Sequence, residues 1–366
     1  MKNPTATARL VVRLGAIAAN YRRFVEIASA ARVAGVVKAD AYGLGMANIA
    51  PVLSRAGCDT FFVARMDEGI TLRQMLPEIR IFVLDGVSPG TEPPFAEKRL
   101  IPVLNSLVQI ETWSDVARAR RTTLDCAIHI DTGMNRLGLP PEELAILSAE
   151  TTQRLAHLNV VLWMSHLACG DDPDSTMNAT QRDRFRAALA QLPSAPASLS
   201  ASGGALLSRD YAFDLIRPGI GVYGGNPQNR PPNPMRIAVT LSARILQLRR
   251  VDSGEGVGYG ASFLTGRPST LATLGLGYAD GLMRAIGNNG HGAIAGMRAP
   301  VVGRVSMDLV TLDVTDVPAE ALAIGAEVEL FGDTIALEEF AGNAGTVNYE
   351  VLTRLGSRMH REYEPA

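Results

Sequence analysis

The sequence of 366 residues is long enough for one large domain or for two. Charged residues make up 20% of it, and the formal net charge is −2. Because the basic side chains form no stripe or long block, we expect no nucleic-acid partner.

No apolar stretch approaches the roughly 18 residues that a membrane-spanning helix needs, so we expect no membrane segment. The first residues lack the apolar core and the small-residue cleavage site of a signal peptide. Cys58, Cys126 and Cys169 are far apart and form no CxxC pair. These features predict a cytoplasmic protein with free thiols, without a disulfide framework or a metal site.

Eight short apolar runs in the first 225 residues are typical of buried parallel strands. In chain order they are Gly35–Lys38, Thr60–Ala64, Ile81–Leu84, Ile101–Leu104, Cys126–Ile130, Val160–Met164, Ser198–Ser202 and Asp214–Ile216. Helical patterns lie between most of them, for example Ala16–Arg32, Leu107–Arg121, Pro141–Ala156 and Ala179–Leu192. Eight strand–helix units in a row predict an α/β fold built on a (β/α)8 TIM barrel. A doubly wound sheet is disfavoured, because no GxGxxG turn follows the first strand.

The character of the sequence changes at Gly225–Pro234, a stretch rich in Gly, Pro and Asn that is typical of a linker. Beyond it, β-type runs alternate with Gly-rich turns at Ala238–Val251, Thr270–Leu276, Val301–Val314 and Ala326–Phe331. We therefore predict a barrel domain over residues 8–228 and a mostly β domain over residues 235–366. Because residues 8–14 are strand-like and precede the first barrel helix, they can pair with the C-terminal domain.

Lys38 is one of only three lysines and follows the apolar run Gly35–Val37. Burial disfavours the charged ammonium and lowers its pKa, which makes the amine a nucleophile. Such an amine is suited to forming a Schiff base with a carbonyl group. Taken alone, Lys38 is equally consistent with a lysine that extends from a strand end to water.

Other polar residues collect at the carboxyl ends of predicted strands, where barrel enzymes place their active sites. They are Asp131–Arg136 after the fifth strand, Ser165–His166 after the sixth, Ser202–Gly204 after the seventh and Arg217–Gly219 after the eighth. Polar residues also gather wherever strands meet loops, but a lysine, two arginines and a histidine at one end exceed that expectation. We interpret the set as a functional site.

The turns after the seventh and eighth strands commonly bind phosphate in such barrels. Ser202 offers a hydroxyl, and glycine leaves room for the N–H groups around Gly203–Gly204 and Gly219–Ile220 to approach an anion. A Schiff-base lysine opposite a phosphate site fits pyridoxal phosphate. Arg217 only donates hydrogen bonds, so a pyridine nitrogen beside it would stay unprotonated. That arrangement favours removal and return of a single proton over transamination.

Seven segments, in order, resemble those of the bacterial alanine racemases over nearly the whole chain. They are Val37–Gly45, Asp131–Gly138, Arg217–Ile220, Gly258–Gly260, Gly277–Gly281, Arg304–Asp308 and Asn348–Glu350. Any one of these short segments is weak evidence for the family, whereas seven in the same order are highly specific. The resemblance implies a pyridoxal-phosphate-dependent racemase that interconverts L-alanine and D-alanine, and a head-to-tail homodimer with shared active sites.

The resemblance also assigns cofactor contacts. The matching positions are Lys38, Tyr42, His166, Ser202, Arg217, Gly219, Ile220 and Tyr349. Lys38 would carry the cofactor covalently, and Arg217 would face its pyridine nitrogen. Tyr42 and Tyr349 would bind its phosphate beside Ser202.

Racemisation needs a proton removed from one face of Cα and another delivered to the opposite face. By the resemblance, the two bases would be Lys38 and Tyr259 of the partner subunit. A tyrosine is only about one part in a thousand ionised at neutral pH, so a neighbouring group must stabilise its ionised form if it is to act as a base. The family supplies a hydrogen bond to the residue that matches His166, which in turn contacts Arg217.

For the substrate, the resemblance implies that Arg136 and the backbone N–H of Met307 bind the carboxylate. Tyr278 would line the entrance, and Asp308 would lie close to the site. The residues around Tyr278 and Met307 favour a small side chain such as that of alanine. A racemase for serine or for several amino acids is the alternative.

The chain departs from the family pattern at two positions. His129 stands where many relatives carry a lysine whose carbamate holds the arginine that matches Arg136. His129 itself, a chloride ion or water could orient Arg136, or His129 could be a core histidine without a role. Ala201 replaces an asparagine that often precedes the serine matching Ser202.

Two further functions are less compatible with the sequence. Barrel decarboxylases that use pyridoxal phosphate place an acidic residue at the pyridine nitrogen, whereas this chain has Arg217. A non-catalytic cofactor-binding barrel would not need the long C-terminal domain with Tyr259. The sequence leaves open whether the enzyme serves D-alanine biosynthesis, as a peptidoglycan precursor, or D-alanine degradation.

Overall fold

The computed structural model describes residues 6–366, which divide into two compact units. The barrel unit comprises residues 18–222 and 227–235, and the β unit comprises residues 6–17, 223–226 and 236–366. Within residues 6–366, no helix has the length and apolar character needed to cross a membrane.

The barrel unit contains a closed parallel β-barrel. Seven strands pair side by side in chain order: Gly35–Val36, Thr60–Val63, Arg80–Val83, Ile101–Leu104, Leu124–His129, Leu158–Met164 and Ala197–Ser198. Closure comes from Leu215–Ile216, which pairs in parallel with Arg32–Val33. The N–H of Asp214 donates to the carbonyl oxygen of Ala197 at 2.9 Å, which joins this last strand to the seventh. The predicted (β/α)8 barrel is therefore confirmed.

Helices connect the barrel strands. Their bounds are Leu14–Ala28, Met46–Arg55, Met66–Met75, Glu92–Glu97, Leu107–Arg120, Pro141–Ala149, Thr151–Arg154 and Thr176–Leu189, with a short turn at Lys38–Tyr42 and 3₁₀ turns at Gly204–Leu206 and Arg209–Tyr211. Leu107–Arg120 begins after Ser106, whose Oγ accepts the N–H of Gln109 at 3.2 Å. This is a typical N-cap, because the first N–H groups of a helix have no partner within the helix.

Two barrel strands, the first and the seventh, end at least two residues earlier than the sequence predicts. The first ends at Val36, because residues 39–42 adopt left-handed backbone conformations that cannot continue a strand. The seventh ends at Ser198, so the expectation that Ser202 lies within it is wrong. There the backbone turns, since the N–H of Ala205 donates to the carbonyl oxygen of Ala201 at 3.0 Å.

The β unit is built on the long strand Val239–Val251. Its other strands are Ala8–Arg13, Gly256–Val257, Phe263–Leu264, Ser269–Leu274, His291–Ile294, Met297–Pro300, Val310–Asp313, Glu327–Phe331 and His360–Glu364. Ala8–Arg13 pairs antiparallel with the long strand and parallel with His360–Glu364. The helices Leu337–Asn343 and Asn348–Thr353 and several short 3₁₀ turns complete the unit. A mostly β C-terminal domain was predicted, and it is confirmed.

The β unit differs from the sequence prediction in several places. Of the run Val301–Val314, only Val310–Asp313 is a strand. The hairpin of His291–Ile294 and Met297–Pro300 was not predicted. Its two-residue turn is Ala295–Gly296, with φ of 47° and 79°. Such turns usually contain Asn-Gly or Asp-Gly, so the Ala-Gly pair lacks the usual sequence signal of a hairpin.

Candidate active site

Lys38 opens a turn with unusual backbone geometry. The next four residues, Ala39 to Tyr42, have φ between 52° and 58°, although none is glycine. A left-handed conformation costs an L-residue about 1–2 kcal/mol, so the surrounding structure must hold this turn in place.

The amine of Lys38 is half-buried in the barrel unit. Burial lowers its pKa, and the positive charges of Arg136 and Arg217 add to that effect. The carboxylates of Glu68 and Asp85 oppose it. The amine is therefore less basic than a lysine in water, as nucleophilic attack on a carbonyl requires.

Tyr42, Ser202, Gly219 and Ile220 form a compact group that we call the Ser202 cluster. A β-carbon added at Gly219 would lie 2.1 Å from the Tyr42 Oη, so glycine alone leaves room for this hydroxyl. The buried Ser202 Oγ accepts the N–H of Gly219 at 2.9 Å and that of Gly221 at 3.2 Å. Its hydroxyl hydrogen can then donate to a further acceptor. The N–H of Ile220 has no acceptor among residues 6–366.

Arg217 is a buried cation without a carboxylate partner among the described residues. One Nη donates to the Ser198 Oγ, and the other donates to the carbonyl oxygen of Ser165 at 2.7 Å. Its guanidinium carbon lies 5.8 Å from the centroid of the Phe62 ring, a cation–π contact. Burial lowers the pKa of Arg217 to about 10, so it stays charged at neutral pH.

His166 lies beside Arg217, with its Nδ1 at 3.3 Å from an Nη atom of the guanidinium. Its removal from water, together with the charges of Arg217, Arg136 and Lys38, holds its pKa well below the usual value. The imidazole is therefore neutral at pH 7. Because an arginine can only donate, the Nδ1 facing it is the acceptor nitrogen.

His129 is a buried neutral histidine. Its Nδ1 lies 2.9 Å from the Asn105 Oδ1. The Asn105 Nδ2 donates to the carbonyl oxygens of Leu84 and Val103, so the amide oxygen faces His129 and the Nδ1 carries the hydrogen. Burial and the charge of Arg217 lower the pKa of His129 to about 4.

Arg136 is exposed, and its guanidinium makes no hydrogen bond to residues 6–366. The loop before it is well held, because one oxygen of Asp131 accepts the N–H groups of Gly133, Met134 and Asn135. Arg136 acts electrostatically on Lys38, His129 and His166. The loop thus presents a free guanidinium at the carboxyl ends of the strands.

Tyr259, Tyr278, Met307 and Tyr349 belong to the β unit. The exposed fractions of the first three are 72%, 44% and 54%. The N–H of Tyr278 donates to the carbonyl oxygen of Ser306 at 3.0 Å, which places Tyr278 and Met307 on neighbouring loops. Tyr349 is 39% exposed at the start of its helix.

Asp308 is held by an ion pair. Its Oδ1 accepts from an Nη of Arg358 at 2.8 Å. The Nε of the same arginine lies 3.1 Å from the Asp280 Oδ1. Asp280 in turn accepts the N–H of Gly277 at 2.9 Å, so this pair links the loops that carry Tyr278 and Met307.

Sequence reasoning missed three side chains that hold the site together. Glu68 accepts the N–H of Ala39, Asn105 bonds His129, and the buried Gln181 donates to the Thr132 Oγ1 and to the carbonyl oxygen of His166. Glu68 lies three residues after Arg65, a spacing typical of a helix-capping glutamate. The other two are far in sequence from their partners, so no local pattern could have revealed them.

The residues of the barrel unit fit pyridoxal phosphate. Lys38 supplies an amine with a lowered pKa. The Ser202 cluster supplies hydroxyl and N–H donors where a β-carbon would not fit. Arg217 supplies a donor that pairs with no carboxylate of residues 6–366. No group of three His, Cys, Asp or Glu side chains within residues 6–366 is arranged to hold a metal ion.

A closed (β/α)8 barrel that carries Lys38 and the phosphate-binding donors of the Ser202 cluster defines a pyridoxal-phosphate-dependent enzyme of the barrel class. Family models for the N-terminal and C-terminal domains of alanine racemase match residues 12–227 and 238–363. The alanine racemase of Rhizobium meliloti (strain 1021) is 47% identical over 370 residues, covering 98% of this chain and 97% of that protein. That of Rhodospirillum rubrum is 48% identical over 360 residues, covering 98% and 96%.

A solved structure agrees with these relatives. The crystal structure of the alanine racemase from Bartonella henselae, with covalently bound pyridoxal phosphate, has a TM-score of 0.95 and 40% sequence identity. The match covers 98% of this chain and 100% of that one. The chain therefore belongs to the alanine racemase family, as the seven segments predicted.

Proposed function

We propose that this protein interconverts L-alanine and D-alanine with pyridoxal phosphate held covalently on Lys38. The observation that carries the proposal is the half-buried amine of Lys38, with its lowered pKa, in the same unit as the Ser202 cluster and Arg217. When bound, pyridoxal phosphate draws electron density from the Cα–H bond of the attached amino acid and so acidifies it.

The cofactor phosphate is bound by Tyr42, Ser202 and the N–H groups of Gly219 and Ile220, with Tyr349 as a further contact. This assignment is supported by the N–H of Ile220, which has no acceptor within residues 6–366, and by the buried hydroxyl of Ser202. The N–H of Gly219 already donates to the Ser202 Oγ at 2.9 Å. It would reach the phosphate as a bifurcated donor, shared between the Ser202 Oγ and a phosphate oxygen.

Arg217 faces the pyridine nitrogen as a donor. Because the pKa of Arg217 is about 10, it cannot give up a proton to the ring at neutral pH. The neutral state of His166 means that this neighbour does not protonate the ring either. A ring nitrogen left unprotonated in this way would draw less negative charge from Cα, which would favour prompt return of a proton.

Lys38 exchanges the proton on one face of Cα, and Tyr259 of the partner subunit exchanges it on the other. Neutral His166, whose Nδ1 accepts from Arg217, carries its hydrogen on Nε2 and is suited to donate a hydrogen bond to the oxygen of that tyrosine. The exposure of Tyr259, Tyr278 and Met307 supports a head-to-tail homodimer, because a second copy would cover these side chains.

Arg136 and the backbone N–H of Met307 bind the substrate carboxylate. The free guanidinium of Arg136 supports this role, and the N–H of Met307 has no acceptor within residues 6–366. Tyr278 narrows the entrance, so that alanine is preferred over serine.

The test is to incubate the purified, cofactor-loaded protein with L-alanine and to follow D-alanine by chiral chromatography. Approach to an equal mixture supports the proposal, with Lys38→Ala as the inactive control. Racemisation of L-serine at a similar rate would favour the broader specificity. Absence of D-alanine from a loaded protein would overturn the proposal.

In the cell we place the enzyme in the cytoplasm, where it supplies D-alanine as a peptidoglycan precursor. The three free thiols, Cys58, Cys126 and Cys169, fit a reducing compartment. A deletion strain that needs added D-alanine would support biosynthesis. A strain that grows without it, but cannot use D-alanine as a nitrogen source, would assign the enzyme to degradation.

A further inference from the structure

The left-handed turn after Lys38 needs an external support. Within the turn, the N–H of Gly43 donates to the carbonyl oxygen of Ala39 at 2.7 Å, and the Asp40 Oδ1 accepts the N–H of Met46 at 2.7 Å. These bonds secure the end of the turn. At its beginning, where the Lys38 side chain emerges, the N–H of Ala41 donates to the carbonyl oxygen of Val37 at 2.9 Å, and a further hydrogen bond comes from another element.

That element is the helix Met66–Met75, through Glu68 in its first turn. The Glu68 Oε1 accepts the N–H of Ala39 at 2.6 Å. Its Oε2 accepts the N–H of Ala64 at 2.8 Å and that of Arg65 at 3.1 Å. One carboxylate therefore ties the residue after Lys38 to the end of the neighbouring strand, Thr60–Val63.

The charge of Glu68 suits its position. A carboxylate in the first turn of a helix is favoured by the helix dipole, and the Glu68 carboxylate accepts hydrogen bonds through both oxygens. A glutamine of the same shape could accept through one oxygen only, and its NH₂ would face one or two N–H groups. The hydrogen bonds from the N–H groups of Ala39 and Ala64 could not both persist in that variant.

We propose that Glu68 is a positioning residue that fixes the start of the left-handed turn and thereby aims the Lys38 side chain into the site. The inference deepens the proposed function, on which it rests. It concerns how Lys38 is placed. Glu68 itself acts through the backbone of Ala39.

The test compares Glu68→Gln with Glu143→Gln in the full-length, cofactor-loaded protein. Glu143 is a matched control, because it is also a half-buried glutamate in the first turn of a helix, Pro141–Ala149, and its Oε2 accepts the N–H of Leu107 at 2.8 Å. Amide hydrogen exchange is measured by mass spectrometry on peptides that contain Ala39, Ala64 or Leu107.

Glu68→Gln is expected to speed amide hydrogen exchange at Ala39 or Ala64 about tenfold. Glu143→Gln is expected to speed exchange only at Leu107. Glu68→Gln should lower kcat about 10- to 100-fold with KM for alanine changed less than about threefold, because misplacing a reacting group slows chemistry more than binding. Loss of the visible absorption band on treatment with hydroxylamine should also become several-fold faster.

A second variant separates positioning from general loss of structure. Ala39→Gly removes the Cβ that opposes a positive φ, so adding it to Glu68→Gln should recover part of kcat. Unchanged exchange at Ala39 and Ala64 in Glu68→Gln would overturn the inference, as would an equal fall of kcat in Glu143→Gln. If Glu68→Gln does not fold, Glu68→Asp is measured by the same criteria.

The two proposals fail in different ways. A wild-type protein that forms no D-alanine refutes the racemase function, whereas the exchange rates at Ala39 and Ala64 still test the role of Glu68. A racemase whose Glu68→Gln variant keeps its exchange pattern, kcat and absorption band refutes the role of Glu68 alone.

Discussion

The hydroxyl of Tyr42 lies so close to Gly219 that a β-carbon there would come within 2.1 Å of Oη and 2.8 Å of Cζ. The two residues are far apart in sequence, at the first and last barrel strands, which become neighbours when the barrel closes. The tight contact brings a phenol, a backbone N–H and the Ser202 hydroxyl to one place. Any side chain at position 219 must displace Tyr42.

Gly219→Ala should therefore weaken cofactor binding by at least about tenfold, since Tyr42 would have to leave the Ser202 cluster. Fluorescence titration of the apoprotein with pyridoxal phosphate measures the change in Kd. Gly266→Ala is the control, because a β-carbon there meets no atom within 4 Å. Equal affinity of Gly219→Ala and the wild type would contradict the assignment of this cluster to the phosphate.

Tyr259→Phe should slow exchange of the Cα proton of L-alanine more than that of D-alanine, because the two enantiomers present opposite faces to the two bases. A positioned base typically contributes about 10²–10⁴-fold. Solvent deuterium incorporation into each enantiomer, followed by NMR, measures the asymmetry. Equal slowing for both enantiomers would argue against two bases.

Mixing Lys38→Ala with Tyr259→Phe should restore activity if Tyr259 acts in the partner's site. A heterodimer would then hold one site with both native bases. The mixture is assayed after subunit exchange has been verified by native mass spectrometry. If exchange is complete and no activity returns, a site shared between subunits is excluded.

Arg217→Glu should raise the yield of pyruvate from alanine, because a carboxylic acid beside the pyridine nitrogen can protonate it and prolong the life of the carbanion. Pyruvate is measured with lactate dehydrogenase and expressed per racemisation event. Arg217→Lys keeps a donor and a positive charge, so its pyruvate yield should stay near that of the wild type. An unchanged yield in Arg217→Glu would refute the role given to Arg217.

His129 should make the protein less stable as the pH falls. Its pKa is about 4 in the folded protein against 6.5 for the ordinary imidazole. Between these values the unfolded chain binds a proton that the folded protein does not, so stability falls as pH drops through this window. By pH 5 the loss amounts to about 2 kcal/mol.

His129→Gln should remove this dependence, so that it loses about 2 kcal/mol less than the wild type between pH 7 and pH 5. Urea denaturation at the two pH values measures the difference, with His157→Gln as the control. An identical fall in wild type and His129→Gln would mean that the buried histidine is not neutral in the folded state.

Much of the fold could be predicted from local pattern. The strand Ile101–Leu104 was predicted to the residue, and Thr60–Val63 within one residue, because a short, mainly apolar run flanked by charged or polar residues nearby leaves few alternatives. The seventh strand was misjudged. Ser198–Ser202 has strand-like composition, but its backbone turns after Ser198 to reach Ala205.

The candidate site was also predictable in part. Lys38, Arg217 and Ser202 were proposed as site residues because each ends or follows a predicted strand, where barrel enzymes place their active sites. Glu68 was not, because its partner Ala39 lies 29 residues earlier and the contact exists only when neighbouring strands pair. The same holds for Asn105 and His129, 24 residues apart.

The sequence by itself determined the barrel, the β domain and the family, and it indicated Lys38 as the candidate reactive lysine, because residue type and spacing along the chain encode these features. Only the tertiary structure decided how the lysine is held, which nitrogen of His129 carries the hydrogen, and why position 219 admits no side chain. These features depend on distances of about 3 Å between residues that are remote in sequence. Hydrophobic periodicity specifies which faces are buried, and such distances appear only once the strands have closed the barrel.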